Sequence, residues 1–174
     1  MSVVIDGSAG MTTAIGAVYN GIQSATAQAS TSGTSIDFTG IPSWVKRITI
    51  MFNGVSTTGT NPILVQLGAG SVDTASYTSI GGEITGGAAS ASSTNGFRIS
   101  ANWAASALCY GNMMICTSGS SSWSESGVFT RTDNSAQSFS AGGKTLSGTL
   151  DRVRITTTTG TDTFDAGSIN ILFE

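Results

Sequence analysis

The sequence predicts an all-β fold, an antiparallel β-sandwich similar to a jelly roll, with a short N-terminal attachment segment. From residue 35 onward, short runs alternate apolar and polar residues, and Gly- and Ser-rich clusters separate them. The chain is 39% apolar and only 10% charged, whereas a disordered chain combines few apolar residues with high net charge. No helical periodicity is evident after residue 33. We therefore expect an attachment or oligomerisation segment over 1–33 and a β-sandwich domain over 34–174.

The N-terminal segment carries almost no charge and few large apolar residues. Residues 3–5 can form one short strand. Ile15, Val18, Ile22 and Ala25 then recur at helical spacing, which predicts a weak amphipathic helix. Its apolar side chains are too few to bury surface alone, so we expect Ile15, Val18 and Ile22 to contact a partner or other copies of this chain. A frayed N-terminal arm is the alternative.

The domain then begins with two alternating runs. The first, 45–52, predicts a strand with two distinct faces, and the dipeptide Asn53-Gly54 after it favours a hairpin turn. The second, 63–67, places Ile63, Val65 and Leu67 on one face. These runs predict two early strands joined through a tight turn.

The rest of the chain repeats the same pattern, for a total of about nine short strands. The later strands are predicted over 75–80, 96–100, 107–116, 123–131, 137–141, 150–157 and 168–173. Gly81-Gly82, Gly86-Gly87 and the serine-rich stretch 118–122 are predicted as turns between them. The final run is apolar to its end, which predicts a last strand inside the sheet with a fixed carboxyl terminus.

The composition excludes several chemistries. The chain contains no histidine, which rules out a Ser-His-Asp or Cys-His relay and a histidine-based zinc site. The net charge is −3 and the basic residues form no patch beyond Arg152 and Arg154, so we expect no nucleic-acid partner. No apolar stretch is long enough to predict a membrane-spanning helix, and we expect no membrane insertion.

The two cysteines, Cys109 and Cys116, are predicted to be free thiols. If 106–116 is one strand, their odd separation puts them on opposite faces about 23 Å apart, too far for a disulfide. A hairpin turn near Gly111-Asn112 would bring them together and is the alternative. Two buried free thiols remain the favoured interpretation.

Two motifs invite a ligand interpretation and are better explained as turns. Asp162 and Asp165 share one loop and could hold Ca²⁺, but the spacing of a calcium-binding loop is missing. The stretch 142–145, Gly-Gly-Lys-Thr, lacks the upstream glycine of a phosphate-binding loop, and a loop turn is favoured. A glycosidase with two carboxylates needs no histidine, but no spacing in the sequence demands one. We therefore predict no catalytic, cofactor-binding or metal-binding residues.

The three tryptophans could be either core residues or platforms for sugars. Trp44 precedes an alternating strand and is predicted to pack in the core. Trp103 and Trp123 stand beside Gly- and Ser-rich sequence, and exposed rings there could contact a host glycan. Core packing is favoured for each, because large aromatic side chains are more often buried.

Two stretches resemble a known family. They are 35–55, SIDFTGIPSWVKRITIMFNGV, and 144–174, KTLSGTLDRVRITTTTGTDTFDAGSINILFE. Both are similar to a β-domain that recurs in surface proteins of tailed-bacteriophage virions. The opening VVIDGSAGMT also resembles the starts of phage fibre and collar polypeptides.

The resemblance implies a homotrimeric structural protein of the virion exterior, made in the host cytoplasm without a signal peptide. The N-terminal segment would attach it to other virion proteins, and the β-domain would face outward and serve host adhesion. The short segment before the domain favours a short tail fibre or spike. A capsid decoration protein on the head is the alternative, and a carbohydrate-binding module or glycan hydrolase is the remoter one. No catalytic residue is implied, and we expect no enzyme activity.

Overall fold

A computed structural model describes residues 4–6, 10–12, 18–19, 21–119 and 121–174. Within these ranges no residue is helical, and every strand pairing is antiparallel, which confirms the all-β prediction. The strands are β1 (Val4–Asp6), β2 (Gly10–Thr12), β3 (Val18–Tyr19), β4 (Gln23–Ser24), β5 (Gln28–Ala29), β6 (Ile36–Thr39), β7 (Arg47–Thr57), β8 (Ile63–Ala69), β9 (Ser71–Val72), β10 (Thr78–Ile84), β11 (Ala88–Ser93), β12 (Phe97–Arg98), β13 (Cys109–Thr117), β14 (Ser122–Arg131), β15 (Ala136–Thr145), β16 (Arg152–Thr157) and β17 (Phe164–Phe173).

Two sheets form the sandwich. The larger has the strand order β11-β10-β15-β14-β13-β7-β17-β4, with β5 also paired to β17. The smaller has the order β12-β8-β16-β6, with β9 paired to β8. Strands β1, β2 and β3 pair with one another in a separate small sheet.

The core lies between the two large sheets, because the strands of the larger sheet bury alternate residues. In β14, Trp123, Phe129 and Arg131 point inward, while the intervening side chains are exposed. Strand β8 is different, since six of its seven residues are buried. The period of two therefore gives the larger sheet one face toward the core and one face toward solvent.

The predicted turn at Asn53-Gly54 is wrong. Strand β7 continues through both residues to Thr57, and Gly54 lies in a β-bulge where the pairing with β13 shifts by one residue. Gly54 has a φ of +66°, the left-handed conformation that makes Asn-Gly a turn signal. Here the neighbouring strands β13 and β17 hold the chain extended, and the glycine supplies a bulge instead of a turn.

The turns predicted at Gly81-Gly82 and over 142–145 are also wrong. Gly81-Gly82 lies inside β10, and 142–145 forms the end of β15. A side chain on Gly81 would overlap the carbonyl oxygen of Arg98 on β12. This glycine is required by the close approach of the two sheets. The turn at Gly86-Gly87 is confirmed.

The predicted helix in the N-terminal segment is wrong where the structure describes it. Val18 belongs to β3, and 23–24 and 28–29 form β4 and β5. Both β4 and β5 pair with β17, and Ala25 packs against the core, so the sandwich extends back to Gln23. Helical spacing of a few apolar residues is weak support for a helix, and pairing with a strand edge prevails here. Ile15 lies outside the described residues.

The last strand and the free thiols behave as predicted. Ile169 and Ile171 of β17 are fully buried, and the carbonyl of Glu174 accepts hydrogen bonds from the Lys46 and Arg47 amides. Cys109 and Cys116 lie on the same strand, β13, and both are free, with Cys109 buried and Cys116 half-buried. Strand β11 is not among the predicted strands, because its run of alanine and serine carries no strand signal. It forms the edge of the larger sheet beside β10.

Replacing Gly167 with alanine is expected to cost about 2–3 kcal/mol of folding free energy. Gly167 has a φ of +90°, and an added Cβ would overlap the backbone of Gly54 across the bulge. Gly70→Ala is the matched control, because Gly70 has a φ of +76° but open space around it, and about 1 kcal/mol is expected. Urea unfolding measures both, and equal losses would contradict the packing argument.

Candidate functional site

The solvent side of the larger sheet is the most distinctive surface of the described structure. Three rows of side chains cross six neighbouring strands, from β10 to β17, and none of these side chains is charged. The rows are Ile84, Gln137, Thr130, Tyr110, Asn53 and Ser168; Gly82, Phe139, Val128, Asn112, Met51 and Asn170; and Ile80, Ala141, Ser126, Met114, Thr49 and Leu172. We call this surface the outer face.

Large apolar side chains on the outer face are open to solvent. Ile80, Ile84 and Val128 are 54–56% exposed. Tyr110, Met114 and Phe139 are about 40% exposed. Single exposed apolar residues are ordinary, but a contiguous uncharged patch of this kind marks interaction surfaces in proteins.

Two aromatic rings on the outer face lie over glycines of the neighbouring strand. Phe139 is directly opposite Gly82, and a Cβ on Gly82 would overlap its ring. The Tyr110 ring lies over Gly54 in the same way, with its hydroxyl 3.2 Å from where a Cβ would stand. Each ring covers backbone that a glycine leaves bare, which explains these residue choices within strands.

The outer face also contains a depression. A cavity of about 220 Å³ is lined by Thr49, Asn112, Met114, Ser126, Gly127 and Val128. Phe139 stands directly across from Val128 on the next strand. The depression is therefore open to a side chain from another molecule.

None of the ionic side chains belongs to the three rows of the outer face. Arg47 pairs with Glu174 at one end of the sheet, just beyond the third row. The principal buried cluster joins Arg131 to Glu83 at 2.5 Å and to Asp133 at 2.7 Å, with the Arg131 side chain only 2% exposed. The cluster belongs to the core.

Hydrogen bonds satisfy most of this buried cluster. Glu83 accepts hydrogen bonds from Ser100 and Asn102 as well as from Arg131. Burial by itself would raise the pKa of Glu83, but these hydrogen bonds and the guanidinium charge bring that pKa below its ordinary range. Arg131 also stacks over the Trp103 ring at 5.4 Å. The arrangement holds two sheets together and leaves Glu83 ionised and engaged.

Glu125 is a second buried acid, and its surroundings differ. It faces the core between Ile115 and Gly142, and its Oε1 accepts a hydrogen bond from Ser140. Oε2 has no hydrogen-bond partner among the described residues. Burial raises the pKa of Glu125 to about 7, against an opposing effect of the Ser140 hydrogen bond. The protonated acid is therefore the form that the fold favours.

Lys144, from the stretch that resembled a phosphate-binding loop, is turned into the fold. Its Nζ pairs with Asp73 at 2.6 Å, donates to the Ala75 carbonyl at 2.6 Å, and lies 4.9 Å from the Tyr77 ring centroid. The Lys144 hydrogen bond holds the pKa of Asp73 below its ordinary value. The ammonium group is occupied by these contacts and does not face an open phosphate cradle.

The predicted glycan contacts Trp103 and Trp123 are both buried, at 6% and 5% exposure. The Trp103 indole donates a hydrogen bond to Thr57 at 2.9 Å. A sugar-stacking platform needs an exposed ring face, and neither ring presents one here. Trp44 is half-buried and packs against Phe173, as predicted for a core residue.

The predicted oligomer contacts lie only partly within the described residues. Ile22 is 64% exposed. Val18 lies in β3, and Ile15 is outside the described residues. The strands around Ile22 replace the helix on which the stripe depended.

The remaining candidates are engaged in local structure. Asp162 accepts two hydrogen bonds from Asn61, both at 2.9 Å, and Asp165 is exposed on β17. Arg154 binds Asp37 through two hydrogen bonds of 2.7 Å, and Arg152 pairs with Asp151. Among the described residues no cluster of acids and cysteines is arranged to hold a metal ion.

An open groove of about 510 Å³ lies between β5, β6 and the end of β17. Phe38, Ile171 and Phe173 contribute apolar surface to it, and Gln28 and Asp37 also line it. The Gln28 amide donates a hydrogen bond to the Asp37 backbone carbonyl, which joins the two sides of the groove.

In the described part of the chain, no helix has the length and apolarity needed to cross a membrane.

Sequence reasoning did not identify the outer face, although a signal for it exists. In the predicted strands 107–116, 123–131 and 137–141, one set of alternate positions carries no charge, and the charged residues Glu125 and Arg131 both belong to the other face of 123–131. A strand of ordinary solvent exposure would place charged residues at such positions.

No protein-family model, curated protein or solved structure matches this chain.

Proposed function

We propose that this chain is a non-enzymatic structural protein of the exterior of a tailed-phage virion, and that it acts through its surface as a homo-oligomer. The outer face is the observation that carries the proposal. An uncharged sheet surface of this extent, with six large apolar side chains exposed on it, is suited to binding a protein. The stretches 35–55 and 144–174, which resemble phage surface proteins, support the virion setting.

The disposition of the reactive groups supports a structural function. Glu83, Arg131 and Lys144 each form ion pairs or hydrogen bonds within the sandwich. Catalysis by a carboxylate pair requires two acids facing one substrate cavity. Glu125, whose pKa is raised, faces the core opposite Ile115 and Gly142. A short fibre or spike that serves host adhesion is the function we propose.

Particles of the phage that encodes this chain provide the test. Purified virions are expected to contain the chain in stoichiometric amounts by mass spectrometry. Antibody labelling in electron micrographs is expected at the tail, and labelling of the head would instead indicate a capsid decoration protein. Recovery of the chain only from the soluble lysate, with none on particles, would contradict the proposal. Release of reducing sugars from host polysaccharide by the pure chain would contradict its non-enzymatic part.

A further inference from the structure

We propose that the outer face is the surface through which copies of this chain associate, with the depression around Val128 and the exposed side of the Phe139 ring in the contact. This inference rests on the proposed homo-oligomer and names its interface. The partner that binds the outer face is a second copy of the same chain.

The size of the outer face matches that of a specific interface. Six strands about 4.8 Å apart and three rows about 6.8 Å apart give a flat area of roughly 600 Å². A standard interface buries about 800 Å² on each partner, and side-chain relief makes the accessible area larger than the flat one. The outer face alone can therefore supply a stable contact.

The chemistry of the outer face is complementary to itself. Its polar members are amides and hydroxyls, such as Asn112, Gln137 and Thr130, and such groups can both donate and accept hydrogen bonds. A copy of the same face therefore offers both donors and acceptors to these polar groups. None of the three rows carries a charge, so two copies meet without repulsion although each chain has a net charge of −3.

Shape agrees with chemistry. The exposed side of the Phe139 ring and the cavity beside Val128 lie on adjacent strands of one face. A symmetry axis near them can bring both features against the outer face of a neighbouring copy, in a two-fold pair or in a closed ring. A partner with a charged surface would have to lose its hydration against this face without gaining an ion pair, which disfavours it.

The test measures the self-association of the full-length chain by light scattering and analytical ultracentrifugation at micromolar concentration. The wild-type chain is expected to form a discrete oligomer. Val128→Glu places a carboxylate in the contact of every copy, so the dissociation constant is expected to rise roughly 100-fold or more. Phe139→Ala removes apolar contact surface without adding charge and is expected to weaken association by roughly tenfold or more.

Thr39→Glu is the matched control. Thr39 is exposed on β6 of the smaller sheet, opposite Arg152, and the change alters net charge by the same amount. It is expected to leave the dissociation constant unchanged. Circular dichroism and thermal unfolding of each variant establish that the sandwich is folded, which is expected because Val128 and Phe139 are solvent-exposed in the single chain.

Two results would overturn the inference, and they are distinguishable. If the wild type oligomerises and folded Val128→Glu and Phe139→Ala associate as strongly, copies meet through another surface, while the proposed function stands. If the wild type is monomeric at these concentrations, both the inference and the homo-oligomer fail. The outer face would then be a site for a different virion protein.

Discussion

Arg131→Met is expected to lower the free energy of unfolding by about 3–5 kcal/mol, the usual cost of breaking a buried ion pair from one side. The change removes the ion-pair partner of Glu83 and Asp133 and leaves two carboxylates, both under a tenth exposed, without a paired cation. It also removes the contact of the guanidinium with Trp103. Urea unfolding followed by tryptophan fluorescence measures the loss.

Arg154→Met is the matched control for this prediction. Arg154 binds Asp37 with equally short hydrogen bonds, but both side chains are more than a third exposed, and a loss of about 0–1 kcal/mol is expected. A second variant, Arg131→Met with Glu83→Leu, is expected to regain part of the stability by removing one unpaired charge. Equal losses for Arg131→Met and Arg154→Met would show that burial adds nothing to this ion pair.

The stability of the chain is expected to fall as the pH rises, because of Glu125. Burial raises the pKa of Glu125 to about 7 from an ordinary 4.5, so the folded state holds a proton that the unfolded state releases at lower pH. Stability is full below the unfolded pKa and is lost as the pH rises through the folded pKa. The contribution of Glu125 to the unfolding free energy is expected to drop by about 3 kcal/mol between about pH 4 and about pH 8. Glu83 and Asp73, whose pKa values are lowered, act in the opposite direction near pH 4, so the decline is expected above that range.

Glu125→Gln keeps the shape of the side chain and removes the charge. It is expected to abolish most of this decline and to stabilise the chain at about pH 8 by up to about 3 kcal/mol. Asp165→Asn, at an exposed position of β17, serves as the control and is expected to leave the decline intact. Urea titrations at several pH values measure the effect. An unchanged slope in Glu125→Gln would contradict the assignment.

The prediction of the strands succeeded best where alternation was long. Strands β13, β14 and β17 lie close to their predicted positions, because their period of two is repeated over many residues. Glycine signals were misread, since positive φ at Gly54 and close packing at Gly81 serve strands as well as turns. A dipeptide cannot report which strands will flank it.

The candidate site was predicted less well than the fold. The apolar stripe assigned to Ile15, Val18 and Ile22 depended on a helix, and β3 and β4 replace it where the chain is described. The tryptophans were correctly favoured as core, and the interpretation of Trp103 and Trp123 as glycan contacts finds no exposed ring. The uncharged residues of the outer face were visible in the sequence, but their assembly into one surface was not.

The sequence by itself determined the class of fold, the two free thiols and the absence of histidine chemistry, because composition and the period of two are local properties. Only the tertiary structure decided which side of each strand faces the core. Glu83 and Arg131 are 48 residues apart, and the register of distant strands makes one a buried partner of the other. The same register leaves Glu125 in the core with a hydrogen bond to Ser140 and gathers uncharged side chains from six strands on the opposite face. Burial is set by long-range pairing, and no local pattern encodes it.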